Sequence, residues 1–173
     1  NTDGQPSGYN IEVLDLILNR LDIPHRFVMQ EWHEATMMFE HHDADLIHAL
    51  SYIYKRRPFV ATQKYINYYN LRTVLLIDTP PLQHIADLGK NDTILVKRSD
   101  YAAWQIQERC DSAFGIRYCS PKEGLLAVRN KQSRYFIWGE EPLKRKMQEY
   151  HFDSLVLDRI DIHCEIQAVP FKQ

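Results

Sequence analysis

Several partners and chemistries are set aside by what this sequence lacks. It has no basic excess: 21 Lys and Arg against 23 Asp and Glu give a formal net charge of -2 and a pI near 6.5. With those basic residues scattered along the chain there is no electrostatic footprint for nucleic acid. No apolar run approaches the roughly eighteen residues of a membrane span, and the segment Asn1-Thr2-Asp3-Gly4-Gln5-Pro6-Ser7-Gly8 has neither the charged nor the apolar region of a signal peptide. Cysteine is sparse. Cys110, Cys119 and Cys164 are odd in number and show no C-x-x-C spacing, which indicates neither a zinc site nor a full disulfide framework. No Gly-x-Ser-x-Gly elbow is present, and His33-Glu34 lacks the second histidine of a zincin motif, so nothing points to nucleophilic or metal catalysis. Fixed-period repeats and low-complexity segments are missing as well.

What remains is a chain of 173 residues, 45% apolar, able to bury a sizeable core as one domain or two small lobes. Apolar residues at Ile11, Leu14, Ile17, Leu18 and Leu21 share one helical face, with Asn10 as N-cap and Pro24 as the stop. A strand over His25 to Gln30, a helix burying Ala35, Met38 and Phe39, and a strand over Asp45 to Leu50 follow. Val74 to Ile77 predicts an apolar strand, and Pro80-Pro81 marks a break where one lobe could hand over to another. A second αβ series then begins. Strands are expected at Thr93 to Val96, Gly115 to Tyr118 and Tyr135 to Trp138. Between and after them come helices over Tyr101 to Glu108, capped by Ser99 or Asp100, over Lys122 to Arg129, opened by Ser120-Pro121, and over Pro142 to Tyr150. Strands at Leu155 to Leu157 and His163 to Val169 close the chain. This alternation is that of a parallel sheet with covering helices, an α/β fold.

The stretch from Trp32 to Tyr65 carries the clearest chemical signal. Arg56-Arg57 falls just beyond the carboxyl end of an expected parallel strand, with Ser51 nearby, an arrangement suited to a small anion because open α/β sheets bind ligands at those strand ends. The bland alternative is a solvated basic pair. Lys97-Arg98-Ser99 sits at a strand-to-helix turn, where helix capping and anion contact can coexist. His33, His41, His42, Asp43, Asp45 and His48 are metal-capable residue types, but adjacent histidines do not easily aim at one centre. Tyr65, Tyr68 and Tyr69 suit packing better than ligand stacking, and Trp104 and Trp138 fall on core-facing stretches.

Several local strings, taken in order, resemble the type II periplasmic binding-protein family, in its amino-acid-binding branch and most of all in the extracytoplasmic sensor regions of bacterial histidine kinases. They are Asp3-Gly4 through Gly8-Tyr9-Asn10-Ile11-Glu12-Val13, Trp32 opening a helix, Asp45-Leu46-Ile47, Thr62 to Tyr65, and Asp87-Leu88 followed by Thr93 to Tyr101. The resemblance implies two αβ lobes joined by a hinge: residues 1–66 as lobe 1, lacking its first strand, 67–162 as lobe 2 with the crossovers, and 163–173 as a return strand. It implies ligand contacts from Ser51 and Arg56, with Arg57 an equally placed rival, from Lys97, Arg98 and Ser99, and from Glu140, where amino-acid binders hold the ligand ammonium.

His41-His42 where the family carries a glycine-containing turn, Lys64 for proline or glycine, and Tyr135 for Asp depart from the pattern. Such departures suit a signalling domain more than a transport receptor. The implied function is an extracytoplasmic sensor domain that recognises a small anionic solute or amino acid by lobe closure, without enzymatic activity or cofactor, its parent anchored in the inner membrane. An amino-acid receptor of an ABC transporter is the nearest alternative. A dehydratase-like enzyme using Glu140 or Glu141, and a transcription-regulator effector domain, share the fold. A missing first strand would leave strand edges that promote self-association, as a homodimer for instance, or loosen the first lobe.

Overall fold

The computed structural model describes residues 5–48, 50–51, 65–82, 84–109, 114–160 and 165–168. The chain divides into two compact units, Asn1–Asn67 with Ile166–Gln173, and Tyr68–Glu165.

In unit 1, helix α1 spans Tyr9–Arg20. It starts ahead of the expected Asn10 cap because Gly8, at φ 111°, turns the chain in a conformation that an L side chain resists, and its carbonyl accepts the Glu12 N–H at 3.0 Å. Of the expected apolar face, Leu14 is buried while Ile17 and Leu21 are exposed. The helix closes with Asp22 left-handed (φ 53°) and the Ile23 N–H on the Leu18 carbonyl at 3.0 Å. His25 to Gln30 is not a strand: it joins no ladder among the described residues, and a strand exists only where a neighbouring backbone takes its hydrogen bonds. Helix α2, Trp32–Glu40, buries Thr36 and Phe39. Phe39 forms a small core with Ile47 and Leu50, against which Trp32 and Ala35 pack.

His42 takes the left-handed conformation (φ 72°) at the turn after α2, the place of the missing glycine. The expected strand over Asp45 to Leu50 shrinks to an isolated bridge at Leu46 and the short strand β1, Leu50–Ser51. β1 is not parallel to its neighbour. It pairs antiparallel with β8, Glu165–Ala168, in the register Leu50↔Ala168, within a three-stranded sheet of order β1-β8-β2 in which β2 is Tyr65–Tyr69.

Unit 2 is built on a five-stranded sheet of order β5-β4-β6-β3-β7: β3 Leu71–Leu76, β4 Thr93–Val96, β5 Gly115–Tyr118, β6 Tyr135–Gly139 and β7 Leu155–Arg159. β4 runs parallel to β5 and β6, whereas β3 is antiparallel to β6 and β7. Every residue of β6 is buried, as a central strand covered on both faces requires. Helices α3 (Tyr101–Arg109), α4 (Pro121–Arg129) and α5 (Glu140–Glu149) follow β4, β5 and β6 in turn. α5 begins two residues before Pro142, since Pro is accommodated in a first turn whose N–H groups lack helical partners. Pro80-Pro81 lies inside unit 2, after β3, and marks no division.

Ser120 closes a capping box on α4, its hydroxyl accepting from the Glu123 N–H at 3.3 Å and its own N–H donating to Glu123 Oε2 at 2.8 Å. The core beneath α4 and α5 gathers Val74, Leu95, Leu125, Val128, Phe136, Trp138, Leu143, Phe152 and Leu155.

Candidate functional site

Strand directions place one edge of the unit 2 sheet in view. β7 is antiparallel to β3, and β3 to β6, so β4, β5, β6 and β7 all end on the same side, where β3 begins. The chain leaves β4 for β5 on one flank and then returns to β6 on the other. Such a reversal of strand order opens a crevice at the carboxyl ends, the usual place for a ligand in an open α/β sheet.

The turn after β4 brings three of the expected residues there. Lys97 Nζ stands 5.7 Å from the centroid of the Trp138 ring, and the Arg98 guanidinium 5.0 Å from that of Tyr118, each a cation over an aromatic face. Ser99 is left-handed at φ 59°, which sharpens the passage into α3. Asp100 fixes the turn at two points: Oδ1 accepts the Ala102 N–H at 3.0 Å as an N-cap, and Oδ2 accepts the Trp138 indole N–H at 3.1 Å. Trp138, expected from sequence to be core alone, is buried and also anchors this turn.

Glu140 lies at the same edge, its N–H donating to the Asn70 carbonyl at 2.8 Å. Its carboxylate is divided between two cations, Oε2 2.6 Å from Arg72 Nη2 and Oε1 2.8 Å from Lys144 Nζ. The Lys144 hydrogen bond, reinforced by the charges of Arg72, Lys144 and Arg159 and opposed by burial, holds its pKa below the ordinary carboxylate value. Arg159 stands directly opposite Arg72 across β3 and β7. Arg72, Lys144 and Arg159 were not among the residues expected from sequence. The Glu140–Lys144 pair is at i,i+4 spacing and could have been read on a helix, but Arg72 and Arg159 meet there only through the register of non-consecutive strands.

Ser51 lies in β1 of unit 1. Arg56, Arg57, Thr62, Lys64, Cys110 and Cys164 are outside the described residues. Cys119 follows β5 as a half-buried thiol whose pKa is pushed up to about 11, by burial first and then by Glu123, with Arg117 opposing; it is protonated at neutral pH. His48 has its pKa lowered by burial, and among the described residues neither ring nitrogen has a hydrogen-bond partner. Among the described residues no three His, Cys, Asp or Glu side chains gather to hold a metal ion, and no helix is long and apolar enough to cross a membrane.

No protein-family model matches the chain, and no curated protein matches it in sequence. Solved structures do match it. A histidine kinase sensor domain with similarity to periplasmic binding proteins superposes with a TM-score of 0.85 at 17% identity, over 100% of this chain and 75% of that one. The GluR0 ligand-binding core in complex with L-glutamate gives 0.82 at 15% identity, over 98% and 78%. The arginine-bound form of truncated ArgBP from T. maritima gives 0.82 at 13%, over 100% and 81%. The chain has the type II periplasmic-binding-protein fold, shared with binding and sensor proteins.

Proposed function

We propose that this chain is the extracytoplasmic ligand-binding region of a two-component histidine kinase whose parent is held in the inner membrane, and that it recognises a small anionic solute or an amino acid. The observation that carries the reading is the basic carboxyl edge of the unit 2 sheet, where Lys97 and Arg98 are held over Trp138 and Tyr118 at the reversal of strand order. The likeness to a histidine kinase sensor domain over the whole of this chain supports it. Lys97, Arg98 and Ser99 contact the ligand from this edge, and Ser51 with Arg56 or Arg57 holds a ligand carboxylate.

An amino-acid receptor of a transporter is the second reading, favoured by the likeness to arginine-bound ArgBP. A reading frame continuing into a kinase module decides between the two. The enzyme reading loses ground on one observation. A dehydratase needs an acid of raised pKa, whereas the Glu140 carboxyl is held low by two cations and the Glu141 side chain is 83% exposed.

Calorimetric titration of the chain with small carboxylates and amino acids tests the proposal. Saturable binding is expected, weakened by about 1.5 to 3 kcal/mol when Arg56 and Arg57 are both replaced by Ala. Unchanged affinity in that variant removes the arginines from the site, and no binding by any compound defeats the reading.

A further inference from the structure

Two carboxylates at the unit 2 edge, those of Glu140 and Asp100, are already taken. Both oxygens of Glu140 are engaged, one by Arg72 and one by Lys144. Both oxygens of Asp100 are engaged too, by the Ala102 N–H and the Trp138 indole N–H. Glu141, mostly in solvent, pairs with Lys144 as well. Around them the strand ends and α5 bring Arg72, Lys97, Arg98, Lys144 and Arg159 to one edge, five cations against the acids Glu140, Asp100 and Glu141, the first two with both oxygens on protein groups. An incoming ammonium would have to displace Arg72 or Lys144 from Glu140 and would then sit among like charges. An incoming carboxylate meets an edge on which the cations outnumber the acids, and displaces neither Arg72 nor Lys144.

We infer that Arg72 and Lys144 determine specificity: by occupying Glu140 they make this site select carboxylates without an α-ammonium group, such as 2-oxo acids and dicarboxylates, over the matching α-amino acids. The inference rests on the ligand-binding reading and narrows its substrate class. It assigns Glu140 to the protein's own charge network, in place of the ammonium contact expected from sequence.

The test uses pairs that differ only at the α-substituent, 2-oxoglutarate against L-glutamate and succinate against L-aspartate, titrated into the whole chain by calorimetry at neutral pH. The member without ammonium should bind at least about tenfold more tightly in each pair. In an Arg72→Gln, Lys144→Gln double variant Glu140 is released, and the preference should narrow or invert. The Glu140→Gln variant, which keeps the backbone and volume, should keep the preference or sharpen it through tighter binding of the member without ammonium, because Arg72 and Lys144 then face the ligand unpaired by Glu140. Amino acids binding as tightly as their partners, or a selective loss of amino-acid affinity in Glu140→Gln, would overturn this inference while the binding reading stands. Failure of both members of every pair to bind, together with every other small carboxylate and amino acid titrated, would overturn the binding reading itself.

Discussion

Arg72 reaches Glu140 at 2.6 Å because the antiparallel register of β3 and β6 sets Arg72 opposite Trp138, two residues before the first residue of α5. Sequence separation hides this contact, and sheet topology makes it. The side chains of Arg72 and Glu140 are 21% and 17% exposed, so the pair lies between a solvated bridge and a fully buried one. Replacing Arg72 by Ala should cost about 1 to 2 kcal/mol, because Lys144 still neutralises Glu140. The pKa of Glu140 is lowered, so its stabilisation is present above the ordinary value of 4.5 and is lost as pH falls through the lowered one. Urea denaturation of the parent and Arg72→Ala chains should therefore show a stability gap at neutral pH that closes in acid.

Gly124 lies within α4, where Ala is ordinarily worth about 1 kcal/mol more than Gly. Here a Cβ would stand 2.8 Å from the Phe136 ring, which is fully buried and has nowhere to go. Overpacking decides the sign. Gly124→Ala should destabilise unit 2 by about 1 to 3 kcal/mol, and a rise in the denaturation midpoint would contradict this account of the core.

Among the described residues His25 has two hydrogen-bond partners. Nδ1 lies 2.9 Å from the Ile23 carbonyl and Nε2 2.9 Å from Asp15 Oδ1, and since both partners are acceptors only the imidazolium makes both bonds. The Ile23 carbonyl, and then Asp15, raise its pKa from the ordinary 6.5. A raised pKa means stabilisation that is full below 6.5 and fades as pH climbs through the higher value. The melting temperature of a His25→Ala variant should fall furthest below the parent in mild acid and converge on it in alkali; a constant difference across that range would show the ring to act by packing against Phe27 alone.

The legible parts of the fold were those set by local chemistry. Ser120-Pro121 announces the start of α4, Ser99 or Asp100 that of α3, of which Asp100 makes the cap, and the apolar run at Tyr135 a strand. Unit 1 was less legible. His25 to Gln30 carries the short apolar run Phe27-Val28-Met29 of a strand, but pairing depends on a neighbouring backbone that no local pattern encodes. The orientation of β1 likewise depends on β8, more than a hundred residues later. At the candidate site, Lys97 to Ser99 are legible from their turn, and Glu140 from the family resemblance alone. Arg72 and Arg159, whose charges act on Glu140, come from strands adjacent only in space.

The most direct test of the central claim, that the carboxyl edge of the unit 2 sheet binds a small anion, is an amide-resolved NMR titration with succinate, run on the parent chain and on a Lys97→Ala, Arg98→Ala double variant. The account predicts saturable shifts centred on residues 97 to 102 and on Gly139 and Glu140, with affinity lost by tenfold or more in the variant, about 1.4 kcal/mol. Shifts that never saturate, that centre elsewhere, or that persist undiminished in the variant would contradict it.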